Sequence, residues 1–268
     1  LRVQASVIGC VACWWNWIGG TEDKGTLNPS SEGSWAKLII EAVVAPYFGT
    51  NCWVIAPNKG SECFIVDPGI GANPDMVARI APVLDKFKLK PIAIFLTHGH
   101  LDHLFSVFPL SKRYGIPALI HPLDRILLTQ PQRALTAGGE SEKLMASFGV
   151  SEFFEPEIVT EVDDGHEIEI AGMRIAARHS PGHTKGSLMF SIDQEFLISG
   201  DVLFAGSIGR TDLPTGSAAS MLATLKSKVL PLADDVIVLP GHGGQTTIGR
   251  ERRSNPYLQE NFLNGRLR

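Results

Sequence analysis

Within Thr97-His98-Gly99-His100-Leu101-Asp102-His103, three imidazoles and one carboxylate fall in six consecutive positions. With 8 His and 13 Asp in 268 residues, random placement gives this pattern with a probability on the order of three in ten thousand. The string therefore asks for a chemical reason. It follows an apolar strand candidate and precedes a helical pattern, so its side chains sit at a strand's carboxyl end and in a helix's first turn. His98 and His100 are two apart, and in extended backbone that spacing points both rings the same way. Asp102 and His103 open the helix, turn away from that pair and can serve a second centre. Neutral imidazole nitrogen and carboxylate oxygen are ligands for borderline metals such as zinc, at about 2.0–2.2 Å.

Three further candidates lie at strand ends. His183 sits in Ser180-Pro181-Gly182-His183-Thr184, Asp201 follows Phe196 to Ser199 and Gly200, and His242 lies in Leu239-Pro240-Gly241-His242-Gly243-Gly244. Flanking glycines permit the tight backbone that lets several loops converge on one point. A single His after a strand is ordinarily a hydrogen-bonded turn residue, and Asp201 alone could cap a helix. The seven together point to a metal site. A purely structural zinc site normally uses Cys and four closed ligands, and neither Cys52 nor Cys63 lies near these strings. His121, His166 and His179 lack such a context and are read as structural. His and Asp donors suit zinc, iron and manganese alike.

The elements that must carry these residues are legible from periodicity. Leu38–Ala45, Cys52–Ala56 and Cys63–Val66 read as successive antiparallel strands. Asn73-Pro74 opens a helical pattern with Val77, Ile80, Ala81, Leu84 and Phe87 at spacings of three and four. Pro91–Thr97 is a buried strand, Asp102–Tyr114 a helix and Pro117–His121 a short strand. Leu123–Phe148 is mixed, with helical pieces around a Gly138-Gly139 break. Strands follow at Glu167–Ile170, Met173–Ala177, Ser187–Ile192 and Glu195–Ser199, with a tight turn at Asp193-Gln194. Ala218–Leu230 reads as helix, Val236–Leu239 as strand and Pro256–Leu263 as a terminal helix. Two sheets stacked face to face with helices outside would bury these runs.

Composition excludes several classes. The chain is 44% hydrophobic and 19% charged with a net charge of −4, which fits a folded globular chain rather than a disordered one. Its 24 basic against 28 acidic residues show no nucleic-acid footprint. Four Cys are too few for a disulfide-built scaffold. No apolar run approaches the ~20 residues that span a bilayer, so a cytoplasmic enzyme without stable membrane insertion is expected.

Residues 1–37 do not match the rest. Trp14, Trp15, Trp17, Trp35, Cys10 and Cys13 concentrate there, and Thr21–Ser34 reads as a polar linker. A secretory signal lacks its small-residue cleavage pattern, and Cys10-Val11-Ala12-Cys13 has no second ligand pair nearby. The Trp cluster carries too few charges for a membrane-surface helix. The segment is therefore expected to be a poorly ordered appendage to a catalytic domain over 38–268. The chain opens at Leu1 and its first Met is Met76, so the start reads as a cloning remnant, a processed end or a non-standard start codon.

From about Leu38 onward the chain resembles a metallo-β-lactamase-fold hydrolase. The resemblance is carried by His98-x-His100-x-Asp102-His103, Gly182-His183-Thr184, Gly200-Asp201 and Gly241-His242-Gly243. It is most similar to glyoxalase II (hydroxyacylglutathione hydrolase), in particular the short bacterial glyoxalase-II-like group. Phe204–Asp212, Ile248–Arg252 and Asn255–Leu258 look like that group's signatures. The resemblance implies an α+β fold, a four-layer αββα sandwich. It implies two divalent ions, zinc first and iron or manganese also allowed. One ion would be held by His98, His100 and His183, the other by Asp102, His103 and His242. Asp201 would bridge them, with Asp102 and Asp201 as the catalytic carboxylates. The expected reaction is hydrolysis of a small-molecule thioester of the S-D-lactoylglutathione type, by attack of a metal-bridging hydroxide on the carbonyl. A thiol of pKa about 8.5 leaves without a dedicated general acid. Arg210, Arg250, Arg252 and Arg253 are candidates for holding acidic groups of the thiol, although a solvated surface role is the ordinary reading of each.

Two departures stand out: Lys185 replaces a usual Pro, and the chain ends before the helical extension that binds glutathione in longer members. The alternative is the persulfide dioxygenase branch, which shares Gly209-Arg210-Thr211-Asp212 and uses one iron held by two His and one Asp. The β-lactamase class most like this ligand set has Cys where Asp201 stands. A nuclease would want a basic stripe, and a non-catalytic module would have no use for a complete ligand set.

Overall fold

The computed structural model describes residues 38–71, 75–135, 145–150 and 152–264. The expectations for residues 1–37, Asn73-Pro74 and Gly138-Gly139 lie outside the described residues.

The first sheet runs β1 (Ile39–Val44), β2 (Asn51–Ala56), β3 (Glu62–Val66), β4 (Lys90–Phe95), β5 (Ala118–Ile120) and β6 (Val159–Glu161), in that spatial order. β1, β2 and β3 pair antiparallel, with Ile40 opposite Ile55 and Val54 opposite Ile65. The remaining neighbours are parallel, which requires crossovers. α1 (Val77–Phe87) makes the first, burying Ile80 and Leu84, and ends at Lys88 in the left-handed region (φ 55), a common helix stop. The second sheet is ordered β12-β11-β10-β9-β8-β7. Its strands are β7 (Glu167–Ile170), β8 (Met173–His179), β9 (Leu188–Ile192), β10 (Phe196–Gly200), β11 (Ile237–Pro240) and β12 (Thr246–Thr247). All its pairs are antiparallel except β10 with β11. Asp193 (φ 47) and Gln194 (φ 62) form the expected tight turn, both residues left-handed as a two-residue hairpin demands.

β2, β9 and β10 are buried along their whole length, which is why they read as continuous apolar runs rather than alternating ones. Between the sheets lie Trp53, Phe64, Phe95, Leu188, Phe190 and Ile198. Phe95 stacks on Phe64 at 4.7 Å and meets Phe190 of the opposite sheet at 5.0 Å. On the first sheet's outer face α1 packs with α3 (Val107–Tyr114) around Ile80, Leu84 and Leu110. On the second sheet's outer face α5 (Ala218–Thr224) and α6 (Ile248–Ser254) pack around Met221, Leu225 and Ile248. The result is the four-layer αββα sandwich. Among the described residues no helix is long and apolar enough to cross a membrane.

The expected helix 102–114 is two helices, α2 (Leu101–Leu104) and α3. Ser106 breaks it: its hydroxyl donates to Gly69 C=O and accepts from Met76 N–H, while its own N–H bonds Pro68 C=O. A residue spent on a neighbouring loop cannot also continue a helical ladder. Residues 122–134 form α4 (Pro122–Arg125) and two 3₁₀ turns. The helix that starts at 218 widens into a π-helical turn over Leu225–Val229. The terminal helix is a 3₁₀ turn over Pro256–Leu258 followed by α7 (Glu260–Leu263). β6, β12 and α6 carry too few apolar residues to announce themselves by periodicity.

Because Phe95 joins the two inner faces, Phe95→Ala should cost about 3–5 kcal/mol. Urea unfolding should show that loss as a lower midpoint with an unchanged slope. A midpoint equal to wild type would mean the inter-sheet core does not depend on this ring.

Candidate metal centre

All seven sequence-predicted residues meet at one end of the sandwich, and all are buried. His98, His100, Asp102 and His103 follow β4, His183 lies between β8 and β9, Asp201 follows β10, and His242 follows β11. The parallel pairing of β10 with β11 sets Asp201 beside His242, with Gly241 N–H bonding Gly200 C=O at 2.9 Å. A side chain at Gly241 would overlap Asp201 Oδ1 and approach His103 Cε1 to 2.9 Å, so only glycine fits there. From the other sheet, the start of β2 reaches across. Asn51 N–H bonds Gly241 C=O at 2.7 Å, and its amide donates to Pro240 C=O at 3.0 Å and to Gly243 C=O at 2.9 Å.

The tautomers follow from the outer partners of each ring. His183 Nδ1 donates to Arg210 C=O at 2.7 Å, and His242 Nδ1 to Phe48 C=O at 3.1 Å. His103 Nδ1 donates to Asp67 Oδ2 at 3.0 Å. Thr97 gives its hydroxyl proton to Asp67 Oδ2 at 2.6 Å and so accepts from His98 Nδ1 at 3.0 Å. Each of these four imidazoles therefore turns Nε2 inward, where its lone pair is open to a cation once the ring is neutral. His98 Nε2 lies 3.1 Å, and His183 Nε2 2.7 Å, from His100 Nδ1. His103 Nε2 and His242 Nε2 are 3.2 Å apart, and Asp102 Oδ2 is 3.5 Å and 3.3 Å from them. His100 Nε2 and Asp201 Oδ1 are buried without a hydrogen-bond partner. Converging lone pairs and orphaned polar atoms are satisfied together by cations, and the donors suit zinc, iron or manganese.

Two groups that share no residue emerge, His98/His100/His183 and Asp102/His103/His242, and a set spanning them, His98/His103/Asp201, is equally close. Asp201 stands between them: Oδ2 is 3.4 Å from both His183 Nε2 and His242 Nε2, and Oδ1 is 3.4 Å from His103 Nε2. Electrostatically the groups differ. Burial, then neighbouring imidazoles, hold His98 and His100 well below the usual histidine range, and burial lowers His183. At His103 burial opposes the charge, but Asp201, Asp102 and Asp67 outweigh it and raise the ring. Asp201 and Asp102 likewise overcome burial at His242 and raise it to about 10. Against the same opposing burial, His103 and His242 keep Asp102 and Asp201 below the usual carboxylate range.

Sequence reasoning missed Asp67 and Asp124. Asp67 also accepts Thr97 N–H at 2.8 Å, and Asp124 accepts Gly99 N–H at 2.9 Å. Each is a lone carboxylate far along the chain from its partners. The only local signal for Asp67 is its place at a strand end before Pro68-Gly69. Phe48, also missed, holds His242 from a left-handed conformation (φ 63), a strained backbone for a bulky residue. Lys185 is exposed and does not displace His183; its carbonyl accepts from His179 Nε2 at 2.8 Å.

A separate set, His121, Asp163 and His179, is also close, but His121 Nδ1 accepts Leu123 N–H at 3.1 Å. Its Nε2 therefore carries the proton and offers no lone pair. Among the arginines, Arg210 forks onto Asp212 at 2.7 Å and 2.6 Å. Arg252 caps the carbonyls of Leu230 and Leu232, Arg253 lies 3.9 Å from Asp234, and Arg250 is exposed.

A family model described as the metallo-beta-lactamase superfamily matches residues 45–242. Hydroxyacylglutathione hydrolase GloC of Haemophilus influenzae is 34% identical over 183 residues, covering 67% of this chain and 82% of that protein. Among solved structures, the B3 metallo-beta-lactamase BLEG-1 superposes with a TM-score of 0.70 at 33% identity, covering 82% of this chain and 100% of that one. TTHA1623 in a di-iron-bound form superposes with a TM-score of 0.64 at 30% identity, covering 81% and 100%.

The charge difference between the groups has a direct readout. In metal-free protein the neighbouring carboxylates favour the protonated form of His103 and His242, whereas burial favours the neutral form of His98, His100 and His183. Zinc entering Asp102/His103/His242 should release about one to two protons, and zinc entering the three-imidazole group should release none. Acidification from pH 7.5 to 6.5 should therefore weaken the first much more than the second. Calorimetric titration in two buffers of different ionisation enthalpy measures this; equal proton release at both steps would contradict the assignment.

Proposed function

Because the chain belongs to the metallo-beta-lactamase superfamily, we propose that its metal centre hydrolyses small thioesters of the S-2-hydroxyacylglutathione type. The observation that carries this reading is the buried Asp201 carboxylate shared between two complete ligand groups. Such an arrangement suits a two-ion hydrolytic centre. The likeness to hydroxyacylglutathione hydrolase GloC supports the thioester, and the di-iron state of TTHA1623 supports two ions.

His98, His100 and His183 would hold one ion and Asp102, His103 and His242 the other, with Asp201 common to both. When bound, such ions supply Lewis acidity that lowers the pKa of water toward neutrality and polarises a carbonyl. The chain's own residues do the rest. Asp201 keeps the two groups at a fixed separation and brings a negative charge to both. Asp102 stays ionised beside His103 and His242 and is oriented by the Thr50 hydroxyl, 3.1 Å from Oδ2. The carbonyls of Arg210 and Phe48 and the carboxylate of Asp67 keep the imidazoles from rotating during turnover. Cys52 and Cys63 are buried, with thiols pushed up by burial, Cys63 to about 12, so neither is suited to covalent catalysis. A thiolate product needs no protein acid to depart, because its conjugate acid has a pKa of about 8.5.

Purified protein should turn over S-D-lactoylglutathione with close to two metal ions per chain. Asp201→Ala should lower kcat by at least about 100-fold and release metal in parallel. Nitrocefin and glutathione persulfide with oxygen-uptake detection serve as the competing substrates. Hydrolysis of nitrocefin, or oxygen consumption with one iron per chain, in place of thioester cleavage would overturn the reading.

A further inference from the structure

We propose that Asp124 is a positioning residue that sets the spacing between the loop carrying His98 and His100 and the loop carrying His183. This inference rests on the metal-centre reading above. The two loops leave opposite sheets, so no strand pairing fixes one against the other. One tie is the bond from Leu188 N–H to Thr97 C=O at 2.7 Å, which joins the strand ends without touching the ligand positions. Another is Asp124, fully buried in α4. Its Oδ2 accepts Gly99 N–H, between the two histidines, at 2.9 Å, and the Thr184 hydroxyl, adjacent to His183, at 2.7 Å. Its Oδ1 accepts Gly186 N–H at 2.9 Å.

The fit is close on both sides. A Cβ at Gly99 would lie 2.5 Å from Leu127 Cδ1, and one at Gly186 would lie 2.6 Å from Asp124 Cγ. Residues 124–127 thus sit as a wedge between two backbones that permit no side chain. The wedge is itself held from outside. His121 caps α4 and stacks on His179 at 4.0 Å with planes 14° apart. Arg125 forks onto Glu155 at 2.7 Å and 3.1 Å and reaches Glu161 at 2.9 Å. Thr184 is locked as a donor to Asp124, since its hydroxyl lies 2.8 Å from Ser187 Oγ, which accepts Thr184 N–H at 3.0 Å.

The site demands a carboxylate. Three donors converge on the two oxygens of Asp124, so an asparagine in either orientation sets its NH₂ against at least one backbone N–H. The loss would be felt at the three-imidazole group, whose members come from both loops. Asp102, His103 and His242 make none of these contacts.

Asp124→Asn and the milder Thr184→Val test this in the full chain. The readouts are stepwise zinc affinities by chelator competition, the visible spectrum of the cobalt(II) form and the thermal midpoint of metal-free protein. Asp124→Asn should weaken one zinc step about 10–100-fold, alter the cobalt(II) spectrum, and leave the other step within about twofold. Thr184→Val, which removes one donor of three, should weaken the same step by less, and the double variant should be non-additive. If Asp124→Asn does not fold, Thr184→Val carries the same test. A lower metal-free midpoint with both zinc affinities unchanged, or equal weakening of both steps, would overturn the proposal alone. Wild-type protein that binds no zinc would overturn the metal-centre reading with it.

Discussion

Two carboxylates and five imidazoles are buried together at the end of this sandwich, and their mutual compensation constrains the rest of the molecule. A buried ionised group costs several kcal/mol unless partners repay it, and here no single pair does so. Asp201 is repaid by His183 on one side and by His103 and His242 on the other. Asp102 is repaid by His103, His242 and the Thr50 hydroxyl. The three-imidazole group has no anionic member of its own and shares Asp201. Removing any member leaves the others unpaired, so the cluster behaves as a unit rather than as a sum of contacts.

That constraint reaches outward through the ring nitrogens that face away from the centre. Arg210 C=O, Phe48 C=O, Thr97 and Asp67 each take one imidazole proton, and each therefore decides which nitrogen remains available inside. The backbone pays locally for this service. Phe48 sits in a left-handed conformation to offer its carbonyl, at a cost on the order of 1–3 kcal/mol. Gly241 must stay bare because Asp201 fills the space where its side chain would be. Phe48 and Gly241 thus put strain and a restricted position beside the chemistry, whereas Phe64, Phe95 and Phe190 pack in ordinary contact within the strands.

The sandwich makes the arrangement possible because the inward faces of its two sheets are joined to one another. The aromatic contacts between the sheets, and the bonds from Trp53 Nε1 to Pro240 C=O and from Leu188 N–H to Thr97 C=O, bring the strand ends into register. Loops that follow those strands then need to travel only a few residues to meet. This is the general economy of folds that seat chemistry at strand ends on a rigid scaffold.

By itself the sequence determined which side chains gather at the candidate site and the class of fold that carries them. His98, His100, Asp102 and His103 are legible because their relation is local: two residues in extended backbone share a face, and a helix start turns the next two away. His183, Asp201 and His242 are legible from glycine-rich strings at the ends of apolar runs. Tertiary structure alone decided the tautomers and the partners of Asp67 and Asp124. Asp67 and its partner Thr97 are thirty residues apart, and Asp124 and Gly186 sixty-two. No periodicity relates such positions, because a hydrogen bond between loops depends on where two separate sheets place their ends. The same reason hid β6, β12 and the break at Ser106: each is set by a neighbour across space, and a short segment carries no record of that neighbour in its own residues.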